Sequence, residues 1–250
     1  MNVIAIIQAR MSSTRLPGKI LKDLVPGTSA LEYMLKRISP SKELQKIIVA
    51  TTENLSDVAI AAKMKAIGQE YFVGSENDVL DRYYKAALRA DAKEKDIIVR
   101  LTSDCPLHDP AVIDHVVQFF KKGSYDYAEN AIEPYTYPDG MDVEVFTFTA
   151  LEKAWKEATK PSHREHVTFY FWTNPDIFKL GHYVNPKKGQ ADYRLTLDYP
   201  SDYELISKVA QHFGPRMDFT MDEILSFLDA HPEIKALNKD VMRNAAHNTA

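Results

Sequence analysis

The sequence lacks the features that mark secreted and membrane-spanning proteins. Its 250 residues include one cysteine, Cys105, so no disulfide can form within the chain. No apolar run approaches the ~20 residues of a membrane helix. The first residues also lack the basic and long apolar segments of a signal peptide. We therefore expect a cytoplasmic protein that does not enter a membrane.

The chain also lacks a strong charge of either sign. Its net charge is −4 and its pI is near 6.1, which argues against a protein that binds nucleic acid. Apolar content of 45% and charged content of 26% are ordinary for a globular protein. The length suits one α/β domain over residues 1–250, with about 125–190 as its substrate-binding and dimerisation subregion.

The first distinctive feature is an apolar run followed by a basic loop. Residues 3–7 are apolar and rich in β-branched side chains, which predicts a short buried strand. The loop that follows, residues 8–19, carries Arg10, Arg15 and Lys19 beside several hydroxyls. Open α/β sheets bind ligands at the ends of such strands, and three cations favour a polyanion such as a nucleoside triphosphate. The alternative is an ordinary basic turn in solvent.

Two common phosphate-binding loops are absent. Lys19 is followed by Ile20 and has no earlier glycine at the spacing of a Walker loop. The sequence contains no G-x-G-x-x-G.

Strand and helix patterns alternate over the first hundred residues. This alternation predicts an α/β, Rossmann-like fold with a mostly parallel sheet between two helical layers. The predicted strands after the first are 47–51, 71–73 and 96–101, and the predicted helices are 31–38, 58–67 and 78–91. Thr28 or Ser29 can cap the first of these helices, Gly68 can end the second, and Asn77 or Asp78 can cap the third. The second half is less regular. It offers a helix around 112–120, broken strands within 125–148, a strand at 193–197, and helices at 201–212 and 221–230, and the last dozen residues are weakly patterned.

Two aspartates follow predicted strands. Asp104 lies before Pro106, and Asp198 lies before Pro200. Carboxylates from two strands, together with substrate phosphates, suit Mg²⁺. In the simpler interpretation Asp104 only caps a turn. Ser201 and Glu204 fit a capping box, and this explains the nearby Asp202 without metal.

Four stretches of the sequence resemble the motifs of one protein family, and they occur in the same order along the chain. The stretches A-R-M-S-S-T-R-L-P-G-K (9–19), R-L-T-S-D-C-P-L (100–107), D-G-M-D-V-E-V-F (139–146) and R-E-H-V (164–167) carry the resemblance. They resemble motifs of the bacterial sugar cytidylyltransferases, in the branch named for spore-coat polysaccharide biosynthesis. Relatives of that branch activate acylneuraminate and 3-deoxy-manno-octulosonate. Ser103 stands where glycine is common in the family.

The resemblance implies an activity and a set of site residues. The activity is Mg²⁺-dependent transfer of CMP from CTP to an acidic sugar, with release of pyrophosphate, in cell-surface polysaccharide biosynthesis. Arg15, Lys19, Asp104 and Asp198 would be catalytic, and the two aspartates would hold the metal. The implied nucleotide-binding residues are Gln8, Ala9, Arg10, Ser13, Arg15, Lys19, Arg82 and Thr102. The implied acceptor-binding residues are Asp142, Glu144, Arg164 and His166.

Each of these assignments has a plainer alternative. Asp142 and Glu144 share one face of a strand that could simply face solvent. Arg164 and His166 could be ordinary residues of a helix surface, and Arg82 could belong to a capped helix start. For the whole protein, the alternatives are a glycosyltransferase that uses a nucleotide sugar and a non-catalytic nucleotide-binding domain.

We predict a homodimer with part of residues 125–190 at its interface. This segment is rich in aromatic side chains, which are typical of interface cores. They are Tyr127, Tyr135, Tyr137, Trp155, Phe169, Tyr170, Phe171 and Trp172. One chain has a mass of 28.4 kDa. Light scattering at micromolar concentration should give twice this mass. A monomer mass would contradict the prediction.

Overall fold

The computed structural model describes residues 1–243 of the chain. The strands in this range are β1 (Val3–Gln8), β2 (Asp23–Val25), β3 (Thr28–Ser29), β4 (Lys46–Thr52), β5 (Tyr71–Gly74), β6 (Ile97–Thr102), β7 (Tyr127–Glu129), β8 (Glu144–Thr147) and β9 (Leu180–His182). The helices are α1 (Ala30–Ile38), α2 (Val58–Ala66), α3 (Val79–Arg89), α4 (Pro110–Gly123), α5 (Phe148–Glu157), α6 (Pro161–Glu165), α7 (Phe169–Trp172), α8 (Pro200–Phe213), α9 (Met221–Ala230) and α10 (Pro232–Lys235). Short 3₁₀ turns lie at Lys19–Leu21, Leu55–Asp57 and Ala236–Asn238.

The central sheet has seven strands in the order β5-β4-β1-β6-β8-β7-β9. β4, β1 and β6 are parallel neighbours, and β5 continues them in parallel. β8 runs antiparallel to both β6 and β7, and β9 is again parallel to β7. β2 and β3 form a separate antiparallel pair. The predicted mostly parallel sheet is confirmed.

Side chains of β1 enter two different apolar layers. Val3, Ala5 and Ile7 belong to a cluster with residues of α1, α2, α4, α8 and α9. Ile4 and Ile6 belong to a second cluster with residues of α3, α5 and α7. Because strand side chains alternate between faces, helices cover both sides of the sheet. The three-layer α/β/α architecture is confirmed.

Several local signals in the sequence act as expected. Ser29 caps α1 by accepting from the Glu32 amide at 3.4 Å, and Asp78 caps α3 by accepting from the Asp81 amide at 2.9 Å. Gly68 follows the end of α2 with φ of 70°. These helix termini follow from side chains within a few residues of each helix.

The second half departs from the prediction at residues 193–197. Within the described residues, this predicted strand forms one isolated bridge, between Asp139 and Arg194, and joins no strand of the sheet. Leu195 and Leu197 are fully buried. The alternation of apolar residues that predicted a strand here therefore reflects burial of these two side chains and not pairing with a neighbouring strand. Residues 125–148 contain β7 and β8 with an irregular segment between them. The prediction for the weakly patterned C-terminus falls partly on residues 244–250, which lie outside the described residues.

The aromatic segment divides between core and surface. Tyr127, Tyr170 and Phe171 are buried in the second apolar cluster, and Trp172 keeps 44% of its surface exposed. Part of the aromatic content therefore builds the layer over the sheet. Within residues 1–243, no helix is both long and apolar enough to cross a bilayer.

Gly140 allows two chain segments to approach closely. Its φ is 102°, and a Cβ there would lie 2.6 Å from the Leu195 carbonyl carbon. The flanking Asp139 carbonyl accepts from the Leu195 amide at 2.6 Å. The contact joins the segment before β8 to the segment before α8.

Gly140→Ala should therefore destabilise the fold by about 2–5 kcal/mol, because it adds backbone strain to overpacking. Gly189→Ala is the matched control, since Gly189 also has a positive φ of 78° but nothing within 4 Å of its Cβ position. The control should cost only about 1–2 kcal/mol. Urea unfolding of both variants measures the difference, and equal losses would show that the close approach does not matter.

Candidate active site

The basic loop after β1 is fixed by its own backbone. The Met11 amide donates to Asp57 Oδ1 at 2.8 Å, and the Met11 carbonyl accepts from the Ser13 amide at 2.8 Å. Leu16 is buried in the core, and Gly18 takes a φ of 67°. The loop thus folds over the carboxyl end of β1, where a parallel sheet binds ligands.

A cavity of about 190 Å³ lies under this loop and is called the first cavity here. Its walls come from the loop and from the ends of β1 and β6, with one residue from the segment before α8. It is lined by Gln8, Arg10, Ser12, Ser13, Thr14, Arg15, Lys19, Thr102, Ser103, Asp104 and Asp198. Ala9 lies behind it, buried, with its amide donating to the Ala50 carbonyl at 3.0 Å. The structure thus brings the two predicted metal ligands and most predicted nucleotide contacts together.

One ammonium joins the two aspartates of the first cavity. Lys19 Nζ lies 3.0 Å from Asp104 Oδ2 and 2.7 Å from Asp198 Oδ1. Arg15 Nη2 also lies 2.9 Å from Asp198 Oδ1. The side chain of Lys19 is only 10% exposed, so this ion pair is shielded from bulk water.

These pairs shift the protonation of both partners. Burial opposes the charge of Asp104, but the charge of the Lys19 ammonium and the hydrogen bonds from Thr102 and Lys19 together outweigh it and lower the pKa of Asp104 to about 2. Burial likewise opposes the charge of Lys19, but Asp104 and Asp198 together raise the pKa of Lys19. The site therefore holds charged groups at neutral pH.

Arg194 is the main site residue that the sequence analysis missed. Its guanidinium contacts Asp139 at 2.6 Å, Asp202 at 2.9 Å and Asp198 Oδ2 at 3.4 Å. The side chain is 9% exposed. Burial opposes its charge, yet the hydrogen bond and charge of Asp202 raise the pKa of Arg194. In the sequence, Arg194 belongs to the predicted strand 193–197 and precedes Leu195 and Leu197. Nothing in that pattern indicates that its guanidinium pairs with carboxylates of the site.

Asp202 has a larger structural role than a helix-end acid. It is fully buried, and its Oδ2 accepts from the amides of Asp198 and Tyr199 at 3.0 and 2.9 Å. Tyr199 is the N-cap of α8, and its amide donates to Asp202 in the first turn, so the predicted Ser201–Glu204 box is wrong. Pro200 occupies the first helical position and shifts the cap by two residues.

A second cavity of about 610 Å³ adjoins the first, and Thr102 lines both. It is lined by Arg100, Thr102, Ala131, Ile132, Glu133, Tyr135, Asp142, Glu144, Ser162, His166, Thr168, Phe169 and Trp172. Asp142, Glu144 and His166 were predicted acceptor contacts, and the structure places all three on this wall. The aromatic members were missed as site residues, because the sequence does not separate them from core aromatics.

The acids of the second cavity are held by cations and hydroxyls. Arg100 forms an ion pair with Glu144, and Tyr127 donates to Glu144 Oε1 at 2.8 Å. Arg243 Nη2 lies 2.5 Å from Asp142 Oδ1. Burial raises the pKa of Asp142 to about 7 despite the charge of Arg243. Asp142 therefore titrates near neutral pH.

Two predicted site residues lie elsewhere. Arg164 Nη2 lies 2.6 Å from Asp78 Oδ2, and Arg164 Nη1 donates to the Trp155 carbonyl at 2.8 Å. Arg82 is 1% exposed and donates to the Ser75 carbonyl. Neither residue lines the two cavities. Both guanidiniums instead tie the start of α3 to its surroundings.

The donor set of the first cavity fits Mg²⁺ bound together with phosphate. Asp104 and Asp198 lie on either side of one cation, Lys19, which shows that a positive charge is accommodated between them. Among the described residues, no group of three or more His, Cys, Asp or Glu side chains could hold a metal alone. Mg²⁺ commonly takes only one or two carboxylates and completes its shell with phosphate and water.

Comparison with known proteins identifies the family. The family profile described as cytidylyltransferase matches residues 4–219. The chain belongs to the cytidylyltransferase family. This membership confirms the predicted family and a CTP-dependent nucleotidyltransferase.

Full-length relatives agree with the match. The chain is 40% identical to an uncharacterized protein of Methanocaldococcus jannaschii over 98% of each sequence. It is 34% identical to the spore coat polysaccharide biosynthesis protein SpsF of Bacillus subtilis, covering 93% of this chain and 96% of the relative. A cytidylyltransferase structure from Leptospira borgpetersenii superposes with a TM-score of 0.87 at 36% identity, covering 97% of this chain and all of the other.

In Lys19→Met, the free energy of unfolding should decrease less steeply than in wild type as the pH falls into the acid range. Folded Asp104 stays ionised to about pH 2, whereas the unfolded side chain takes up its proton near its ordinary pKa of 3.8. Ionised Asp104 therefore stabilises the fold above pH ~4, and this contribution is lost as the pH falls towards 2. Because Asp104 is part-exposed, we expect the contribution to be about 1–2 kcal/mol.

Urea unfolding between pH 2.5 and pH 5 measures this difference in wild type and variant. Lys153→Met is the control, because its pair with Glu157 is exposed on both sides. Parallel profiles for wild type and Lys19→Met would contradict the assigned coupling.

Proposed function

We propose that this protein transfers CMP from CTP to an acidic sugar, with release of pyrophosphate, in cell-surface polysaccharide biosynthesis. The observation that carries the proposal is the pair of adjoining cavities. One is small and rich in cations and hydroxyls, and the other is wider and lined by aromatics and acids. Their shared wall at Thr102 is where the two substrates would meet.

The first cavity would bind the triphosphate. Arg10, Arg15 and Lys19 supply charge, and Ser12, Ser13 and Thr14 supply hydroxyl donors. Arg10 is exposed and lines this cavity, so its guanidinium is accessible to an incoming phosphate. Lys19 and Arg15 would turn from Asp198 towards the phosphates when CTP binds. Lys19 would then balance the charge of the departing pyrophosphate.

Asp104 and Asp198 would hold Mg²⁺ once Lys19 has moved to the phosphates. When bound, Mg²⁺ would neutralise charge on the α-phosphate and so favour attack by the acceptor hydroxyl. The acceptor oxygen forms the new bond to the α-phosphorus and gives up its proton to solvent, and the bond from the α-phosphorus to the bridging oxygen of pyrophosphate breaks. Positioning and charge neutralisation are the main catalytic contributions in transfers of this type.

The second cavity would bind the sugar. Asp142 can accept hydrogen bonds from sugar hydroxyls, and the rings of Phe169 and Trp172 offer apolar surface for the sugar ring. Arg164 does not line this cavity and its guanidinium pairs with Asp78, so we do not assign it to the sugar carboxylate. The acidic character of the acceptor rests on the motif resemblance, and the polysaccharide context rests on SpsF.

A pyrophosphate-release screen tests the proposal. CTP, UTP, GTP and ATP are each combined with Mg²⁺ and a panel of acidic sugars. We expect release only with CTP and an acidic sugar. Release with neutral sugars alone, or with another nucleotide in preference to CTP, would contradict the assigned substrates.

Asp104→Asn and Asp198→Asn should each lower kcat by at least ~10²-fold, because each removes a charge that would stabilise the transition state. The double variant should be hardly worse than either single one, since both carboxylates serve one ion. Pyrophosphate release as a function of Mg²⁺ concentration measures this. Asp222→Asn is the control, because its pair with Lys187 lies on the surface.

Wild-type turnover in Asp104→Asn would place the metal on other carboxylates. If the fold-decrease in kcat of the double variant equals the product of the two single decreases, the two aspartates act independently.

A further inference from the structure

We propose that Arg194 is a positioning residue for Asp198. It would hold this carboxylate facing Asp104 and so set the affinity for the divalent cation that accompanies CTP. The inference rests on the proposed function, because it concerns the cation of the proposed nucleotide site.

The two oxygens of Asp198 have different partners. Oδ1 lies 2.7 Å from Lys19 Nζ and 2.9 Å from Arg15 Nη2. Oδ2 lies 3.4 Å from Arg194 Nη2. One oxygen therefore faces the first cavity, and the other faces the interior.

The partners of Asp198 on the cavity side are the ones that bound phosphate would draw away from it. Lys19 and Arg15 line the first cavity, and both would turn to the triphosphate. Arg194 does not line that cavity, and its side chain is 9% exposed. Arg194 would therefore remain on Asp198 in the loaded state, when the carboxylate must face the cation.

Arg194 is itself fixed from behind. Its Nε donates to Asp202 Oδ1 at 2.9 Å and its Nη2 to Asp202 Oδ2 at 3.1 Å, a two-bond fork. Asp202 is fully buried, and Asn238 Nδ2 also donates to it at 2.8 Å. A lysine could keep the charge at position 194, but one ammonium cannot reproduce this planar fork.

The test compares binding of Mn²⁺·CTP with binding of CTP in EDTA. Isothermal titration is performed on wild type, Arg194→Lys and Arg194→Gln, with thermal unfolding to verify that each is folded. We expect Mn²⁺·CTP affinity to fall at least 10-fold in both variants, while metal-free CTP affinity changes less than 3-fold. Arg194→Lys keeps the buried charge, so it decides the question if Arg194→Gln does not fold.

Two further proteins sharpen the result. Arg216→Lys is the matched control, because this arginine also joins two carboxylates, Asp218 and Glu223, on the surface. Its Mn²⁺·CTP affinity should match wild type. Adding Arg194→Lys to Asp198→Asn should produce no further loss, since Arg194 acts through Asp198.

The remaining outcomes overturn the inference in distinguishable ways. Equal losses with and without metal would show a merely structural role for Arg194. Unchanged Mn²⁺·CTP affinity in folded variants would overturn the inference and leave the proposed function standing. Failure of wild type to bind Mn²⁺·CTP would overturn both.

Discussion

The candidate site depends on one buried ammonium between two carboxylates. Lys19 lies within 3.0 Å of both Asp104 and Asp198, which come from segments far apart in the chain. Two carboxylates that share one cation would repel one another without it, so the Lys19 ammonium stabilises the folded state. In the proposed function, a divalent cation would replace Lys19 between the two carboxylates, and the triphosphate would become the new partner of Lys19.

The sheet supplies two of these three groups directly. β1 and β6 are adjacent and parallel, so their carboxyl ends meet, and the loops that follow carry Lys19 and Asp104. Asp198 comes from an extended segment outside the named strands. The close approach at Gly140 and the Arg194 contacts fix that segment beside the sheet. The adjacent strands of the sheet thus position Lys19 and Asp104. Asp198 is positioned instead by the close approach at Gly140 and by the side-chain contacts of Arg194.

This difference explains what could be predicted from the sequence. Short-range signals were sufficient for the alternation of strands and helices, and for caps such as Ser29 and Asp78. The order of motifs was sufficient to bring Arg15, Lys19, Asp104 and Asp198 into one expected site, and the structure brings them together. Arg194 was not recognised, because its shortest ion pair, at 2.6 Å, joins it to Asp139 on a segment far away in the sequence. Arg164 was misplaced for the same reason, since its partner Asp78 lies far away in sequence.

The charges near the site form an alternating series that joins the two cavities. Asp198 contacts Arg194, Arg194 contacts Asp139, Asp139 lies 4.0 Å from Arg243, and Arg243 contacts Asp142. Each internal member has a neighbour of opposite sign on both sides, which offsets the cost of burying it. Removing one internal member would leave a neighbour partly unpaired, and the largest penalty arises where burial is deepest. The side chains of the internal members Arg194, Arg243 and Asp139 are 9%, 13% and 14% exposed, whereas those of the two end members, Asp198 and Asp142, are 19% and 36% exposed. The series is therefore most shielded in its interior, and its two ends, one on the wall of each cavity, are the members that remain accessible from solvent.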